Sequence, residues 1–135
     1  MDAALRELVR TRAGDRCEYC RIHQDQDSFF RFPVDHVIAR QHGGLTVADN
    51  LCLSCFRCNS HKGPNIASID PETGELVRLF HPRQDDWSER FEWHGALLIG
   101  RTAIGRVTVA LLAINHPEYV LLRESLIDEG TFPPS

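Results

Sequence analysis

Two Cys-x-x-Cys pairs, Cys17-Glu18-Tyr19-Cys20 and Cys55-Phe56-Arg57-Cys58, constrain this chain more than any other feature. Two residues between thiolates let a tight knuckle aim both sulfurs at one ion, and two knuckles complete the tetrahedral all-sulfur set that zinc prefers. The pairs are separated by 34 residues, so one ion would join segments that share no local structure. A four-thiolate site has no open coordination position and is structural rather than catalytic. The same cysteines make a poor disulfide framework, because neighbouring Cys-x-x-Cys thiols staple little and five thiols leave one over. Metal binding in a reducing compartment is the better reading. Cys52 also stands at Cys-x-x-Cys spacing from Cys55 and could replace Cys58 in the second knuckle; the simpler reading is a small buried apolar residue on the segment before it.

The chain has 135 residues, enough for one modest hydrophobic core and short of a two-domain enzyme. Its longest apolar stretches, residues 107–114 and 119–122, fall far below the roughly 18 residues of a membrane span. The N-terminus lacks a basic stretch followed by an apolar one, so the expectation is a soluble cytoplasmic protein. The net charge of −4 argues against a protein that coats nucleic acid by charge alone. That charge is uneven: residues 1–63 sum to +1 and residues 64–135 to −5.

Helical spacing of Leu5, Leu8 and Val9 among Arg6, Arg10 and Arg12 predicts a basic helix over residues 3–13, stopped by Gly14. Aromatic and β-branched residues predict a strand over 29–38, broken by Gly43-Gly44. Residues 46–50 read as a turn or short helix, 51–53 as an extended return, and 59–62 as a helical turn stopped by Gly63-Pro64. Beyond residue 66, Asp70-Pro71-Glu72-Thr73-Gly74 and His94-Gly95 each mark a hairpin. Thr102 caps a helix with Ile104, Val107, Leu111 and Ile114 on one face; Pro117 opens another with Tyr119, Leu122 and Leu126, ended by Gly130. Trp87 and Trp93 belong to a second hydrophobic cluster rather than to a base-stacking surface. Nothing reads as a linker, so the two halves, 1–65 and 66–135, are expected to pack as one unit.

Between and after the knuckles lie Asp35-His36, Gly43-Gly44, Asn50-Leu51 and Cys55-Phe56-Arg57-Cys58-Asn59-Ser60-His61-Lys62-Gly63. In this order the segment from Cys17 to Gly63 resembles the HNH endonucleases, in the subgroup whose ββα-metal core is braced by four cysteines. The resemblance implies an α+β fold, with that small core extended C-terminally by β-hairpins and two helices. It also favours Cys58 over Cys52 as a zinc ligand, because the family's second knuckle directly precedes its last motif residue. That residue is Asn59, which makes the chain similar to an HNN variant. His61 could also be proposed there, but it lies about 200° around a helix from Asn59.

Phosphodiester hydrolysis needs a base to activate water and a hard cation to neutralise charge on the phosphate and the leaving oxygen. His36 can take the water's proton. Asp35 and Asn59 supply oxygen ligands of the type Mg2+ or Mn2+ favours. Asp35 and His36 point to opposite sides of a regular strand, so periodicity alone does not unite them; the resemblance does. It also implies that Asn50 positions the catalytic loop. Lys62, the chain's single lysine, shares a helix face with Asn59, and with Arg57 it is assigned to phosphate contact. The expected activity is metal-dependent cleavage of double-stranded DNA. The competing class is a non-catalytic zinc module that binds nucleic acid or protein, and a nuclease that works only within a larger assembly is a third. The resemblance does not extend to residues 64–135.

Overall fold

Asp2 opens the first helix, α1 (Ala3–Ala13), by accepting from Leu5 N at 2.7 Å, and Gly14 closes it in the left-handed conformation at φ 62°. The computed structural model describes every residue from Met1 to Ser135. It divides into two units, Met1–Ile66 with His81–Asp85, and Ala67–Phe80 with Asp86–Ser135. No helix is long and apolar enough to cross a membrane.

In the first unit α1 buries Val9 completely, and Arg12 donates to Leu51 O at 2.8 Å. Two three-residue strands, β1 (Val34–His36) and β2 (Leu51–Leu53), pair antiparallel with Val34 opposite Leu53, Asp35 opposite Cys52 and His36 opposite Leu51. The loop between them carries 3₁₀ turns at Arg40–His42 and Ala48–Asn50. A four-residue helix, α2 (Gln24–Asp27), precedes β1, with His23 and Gln26 forming a reciprocal cap. Helix α3 (Phe56–Lys62) follows β2.

Two expectations are corrected here. The strand read over residues 29–38 exists only over 34–36, because Gln24 claims the backbone ahead of it: its carboxamide donates to Phe30 O at 2.8 Å and accepts from Phe32 N at 2.6 Å. Those groups are then lost to a sheet ladder. The helix read over 59–62 starts at Phe56, because Cys55 is its N-cap and the Cys55 sulfur accepts from Cys58 N at 3.4 Å.

Residues His81–Asp85 serve the first unit through Glu18. Glu18 N donates to Leu53 O and Glu18 Oε2 accepts from Leu53 N, both at 2.8 Å, while Glu18 Oε1 pairs with Arg83. The first knuckle therefore continues the pairing of β2, and a buried carboxylate carries that pairing on to Arg83.

The second unit holds two hairpins, β3 (Ala67–Ile69) with β4 (Leu76–Arg78) and, after the short helix α4 (Trp87–Arg90), β5 (Phe91–His94) with β6 (Leu97–Gly100). Helices α5 (Ala103–Leu111) and α6 (Pro117–Asp128) complete it. Phe80, Phe91, Leu98, Val107, Leu112 and Ile114 form its buried core. Gly105 lets α5 approach α4 closely, since a Cβ there would lie 2.1 Å from Arg90 O. The helix capped by Thr102 ends at Leu111, short of Ile114, where Ala113 takes φ 50°. Trp87 packs at a tilt against Phe91 and Trp93, and Trp93 meets Phe132 edge-on, as the reading of a second apolar cluster requires.

Candidate active site and metal centre

Cys17, Cys20, Cys55 and Cys58 are all buried, and their sulfurs lie within 4.8 Å of one another. Cys20 Sγ and Cys55 Sγ are 3.8 Å apart, the edge of a tetrahedron with metal–sulfur bonds of about 2.3 Å. The left-handed Arg21, φ 68°, turns the first knuckle back so that Arg21 N reaches Cys17 O. The Cys17 sulfur, then Cys55 and burial, hold the Cys20 thiol well above its ordinary range, and Cys17, Cys20 and Cys55 do the same to Cys58. Against its burial, hydrogen bonds from Cys20, Cys55 and Cys58 hold Cys17 well below its own. Four thiols gathered this closely in a buried site become thiolates together only with a cation among them, which is the chemistry of a metal site.

Cys52 is not in this cluster. It sits opposite Asp35 on β2, fully buried, and burial followed by the Asp35 charge pushes its thiol up. Its sulfur lies 3.6 Å from the Tyr19 hydroxyl, and that hydroxyl in turn hydrogen-bonds the Asp35 carboxylate. Tyr19, completely buried, stands between the two cysteines of the first knuckle. Sequence reasoning missed this residue. The metal centre and the Asp35 carboxylate are joined through one side chain, across 16 positions of sequence.

Asp35 is also met from α3. Lys62, 1% exposed, places Nζ 3.1 Å from Asp35 Oδ2 and donates to His36 O at 3.2 Å. Burial raises the Asp35 carboxyl above its ordinary value, and Lys62 offsets part of that rise. Oδ2 is enclosed but makes no regular hydrogen bond. Asn59 stands one turn before Lys62 on the same face of α3. A carboxylate oxygen and a carboxamide oxygen are the donor types a hard divalent cation takes. The inward turn of Lys62 differs from the phosphate contact expected of it. Arg57 lies with its guanidinium 3.4 Å from Asp27 Oδ2.

His36 lies on the other face of β1, half exposed, with Nε2 2.8 Å from Thr46 Oγ1. The β1–β2 register has no bulge, so Asp35 and His36 keep the opposed directions of a regular strand. Asn50 closes the intervening loop: Oδ1 accepts from Ile38 N at 2.9 Å, and Nδ2 donates to Ile38 O at 3.0 Å and Leu45 O at 2.9 Å. Gly44 is required there, since a Cβ would lie 1.7 Å from Ile38 O. Thr46 was also missed; its place just after the Gly43-Gly44 break was the available signal. His61 is exposed on α3.

In comparison with known proteins, residues 17–65 match the HNH endonuclease family. That stretch begins at the first knuckle and takes in β1, the Asn50 loop, β2 and α3. No curated protein and no solved structure matches the chain.

Proposed function

We propose that this chain, which carries an HNH endonuclease domain over residues 17–65, hydrolyses phosphodiester bonds of double-stranded DNA with the help of a divalent cation. The four thiolates would hold a structural Zn2+. Asp35 and Asn59 would hold Mg2+ or Mn2+, which when bound supplies positive charge to the phosphate and the leaving oxygen.

The observation that carries the reading is the setting of His36. Its Nε2 is engaged by Thr46. With Nε2–H donating to Thr46 Oγ1, Nδ1 holds the lone pair and is the nitrogen that takes a proton from water. Lys62 fixes the backbone under this ring by donating to His36 O, and Asn50 fixes the loop that carries Thr46. Removing the base should lower the rate by a factor on the order of 10²–10⁴.

Plasmid nicking with added Mg2+ or Mn2+ tests this. His36→Ala should lose cleavage to that extent, while His61→Ala stays active. Asp35→Ala and Asn59→Ala should lose activation by the divalent ion with zinc content unchanged. An active His36→Ala protein would remove the mechanism. One observation favours the other class, a non-catalytic zinc module: the Lys62 ammonium beside Asp35 lets that carboxylate serve as half of a buried ion pair. Wild-type protein that retains zinc and binds DNA yet never nicks it under either metal would establish that reading instead.

A further inference from the structure

Three arginines converge where β1 begins. Arg6 and Arg10 are one turn apart on α1, and with Arg31 they line a cleft of about 300 Å³ whose wall continues through Phe32, Pro33 and Val34. None of the three guanidiniums has a carboxylate partner. Arg10 is held below its ordinary range by burial and then by Arg31, with Asp15 and Glu7 compensating less than these. A chain of net charge −4 thus gathers three like charges at one place, offset only in part by Asp15 and Glu7 and with no ion-paired carboxylate. Such an arrangement is stabilised by an anion with several charged oxygens.

The placement of Arg31 is built rather than incidental. Gln24 holds Phe30 O and Phe32 N, on either side of Arg31, and Ser28 Oγ accepts from Phe30 N at 3.1 Å. The same clamp leaves Phe29 and Phe30 exposed, 106% and 75%. Two phenylalanines in water beside an arginine cluster offer flat apolar faces next to positive charge, which suits stacked bases beside a phosphate backbone. Val34, at the cleft, and His36 lie on the same face of β1, two residues or about 7 Å apart.

We infer that Arg6, Arg10 and Arg31 form a phosphate-binding subsite that holds the nucleic-acid backbone one or two nucleotides from the bond at His36, with Phe29 and Phe30 against the flanking bases. Its ligand is a polynucleotide strand, and the identity of that strand as the one being cut rests on the nuclease reading.

The test is equilibrium binding of a fluorescent DNA duplex to the full chain across a KCl series, in buffer without added Mg2+ or Mn2+. Each phosphate contact contributes about 0.9 to the slope of log affinity against log salt. The Arg6→Gln/Arg10→Gln/Arg31→Gln protein should therefore lose a slope of about 2 to 3 and bind on the order of 10- to 100-fold more weakly near 0.1 M salt. Phe29→Ala/Phe30→Ala should weaken binding by about tenfold with the slope unchanged. Arg31→Gln alone, outside any helix, should lose a slope of about 1 and serves if the triple variant is unstable.

An unchanged slope in these arginine variants overturns the subsite whatever cleavage does. So does wild-type protein that fails to bind DNA, or that binds heparin with the same arginine dependence and no DNA. Binding that loses its slope in a protein that never cleaves supports the subsite and sinks the nuclease reading, so the two failures are distinct.

Discussion

The two units of this protein solve the problem of holding a small fold together in different ways. The second has an ordinary apolar core, Phe80, Phe91, Leu98, Val107, Leu112 and Ile114, closed over by aromatic pairs. The first carries the candidate active site on two three-residue strands and a seven-residue helix, elements too short to be stable alone. Its interior sets beside Val9, Tyr19, Ile22, Phe32, Leu51 and Leu53 the four thiols of the cluster, Glu18, Ser54 and Lys62, all buried. The difference teaches that a four-thiol cluster able to hold a metal and a buried polar network can supplement a modest apolar core. They do so where Lys62, 26 residues along the chain from His36, is brought onto the strand that carries Asp35 and His36.

Metal removal should break the comparison with the largest effect. The zinc of such a site is worth roughly 10 kcal/mol or more of folding free energy, beyond the whole stability of a typical domain. Both tryptophans, Trp87 and Trp93, lie in the second unit, so tryptophan fluorescence reports on that unit and amide protection on the first. Chelation strong enough to strip the four thiolates should abolish the protected amides of β1, β2 and α3 in hydrogen exchange. Tryptophan fluorescence should hold its folded value. Retention of protection in the metal-free first unit would show that its polar network suffices.

A cavity in the other unit should do the converse at smaller scale. Phe91 is 1% exposed and packs edge-on against Phe80 at 5.1 Å. Phe91→Ala should destabilise the second unit by about 3–5 kcal/mol in a denaturant titration followed by tryptophan fluorescence. Zinc content should remain one ion per chain, and a loss of zinc in this variant would show that the units are not separate in stability.

The contrast also explains what the sequence could disclose. Local rules reach the second unit well: Thr102 accepts from Gly105 N, Pro117 opens α6, and the turn from Asp70 to Gly74 joins β3 to β4. The four-cysteine cluster was legible because ligand spacing is itself a local signal, and the same cluster separated Cys52 from the ligands once seen in space. The rest of the first unit is written in contacts between distant residues. Lys62 before Gly63-Pro64 reads as a phosphate contact at a helix end, and only the position of β1 turns its ammonium onto Asp35. Tyr19 reads as a spacer between two ligands. Residues 29–38 have strand composition, yet a glutamine eight positions before Phe32 decides that most of them form no strand. Helices α2 and α4 have four residues each, too few for a periodic pattern to register.

The smallest effect expected is the response to acid, and it sharpens the comparison by ordering the two losses. In the second unit Asp70 accepts from Glu72 N and Thr73 Oγ1 and binds Arg106 through both oxygens, at 3.1 and 2.8 Å. The Arg106 hydrogen bonds, foremost, hold its carboxyl down at about 2, against an ordinary 3.8. A carboxyl depressed on folding stabilises the folded state above its unfolded value, and that contribution fades as the pH falls from about 4 through about 2. The four thiolates of the first unit bind protons in competition with zinc, so their metal should be released at a milder acidity than this. An acid titration should therefore show zinc release first, followed by tryptophan fluorescence changing below pH 4. In Asp70→Asn the second unit's stability to denaturant, read by fluorescence, should depend less on pH between 4 and 2, while the zinc-release midpoint stays where it was. Fluorescence that changes together with zinc release would mean that one acid-sensitive network runs through both units, and the division of labour drawn from their cores would fall.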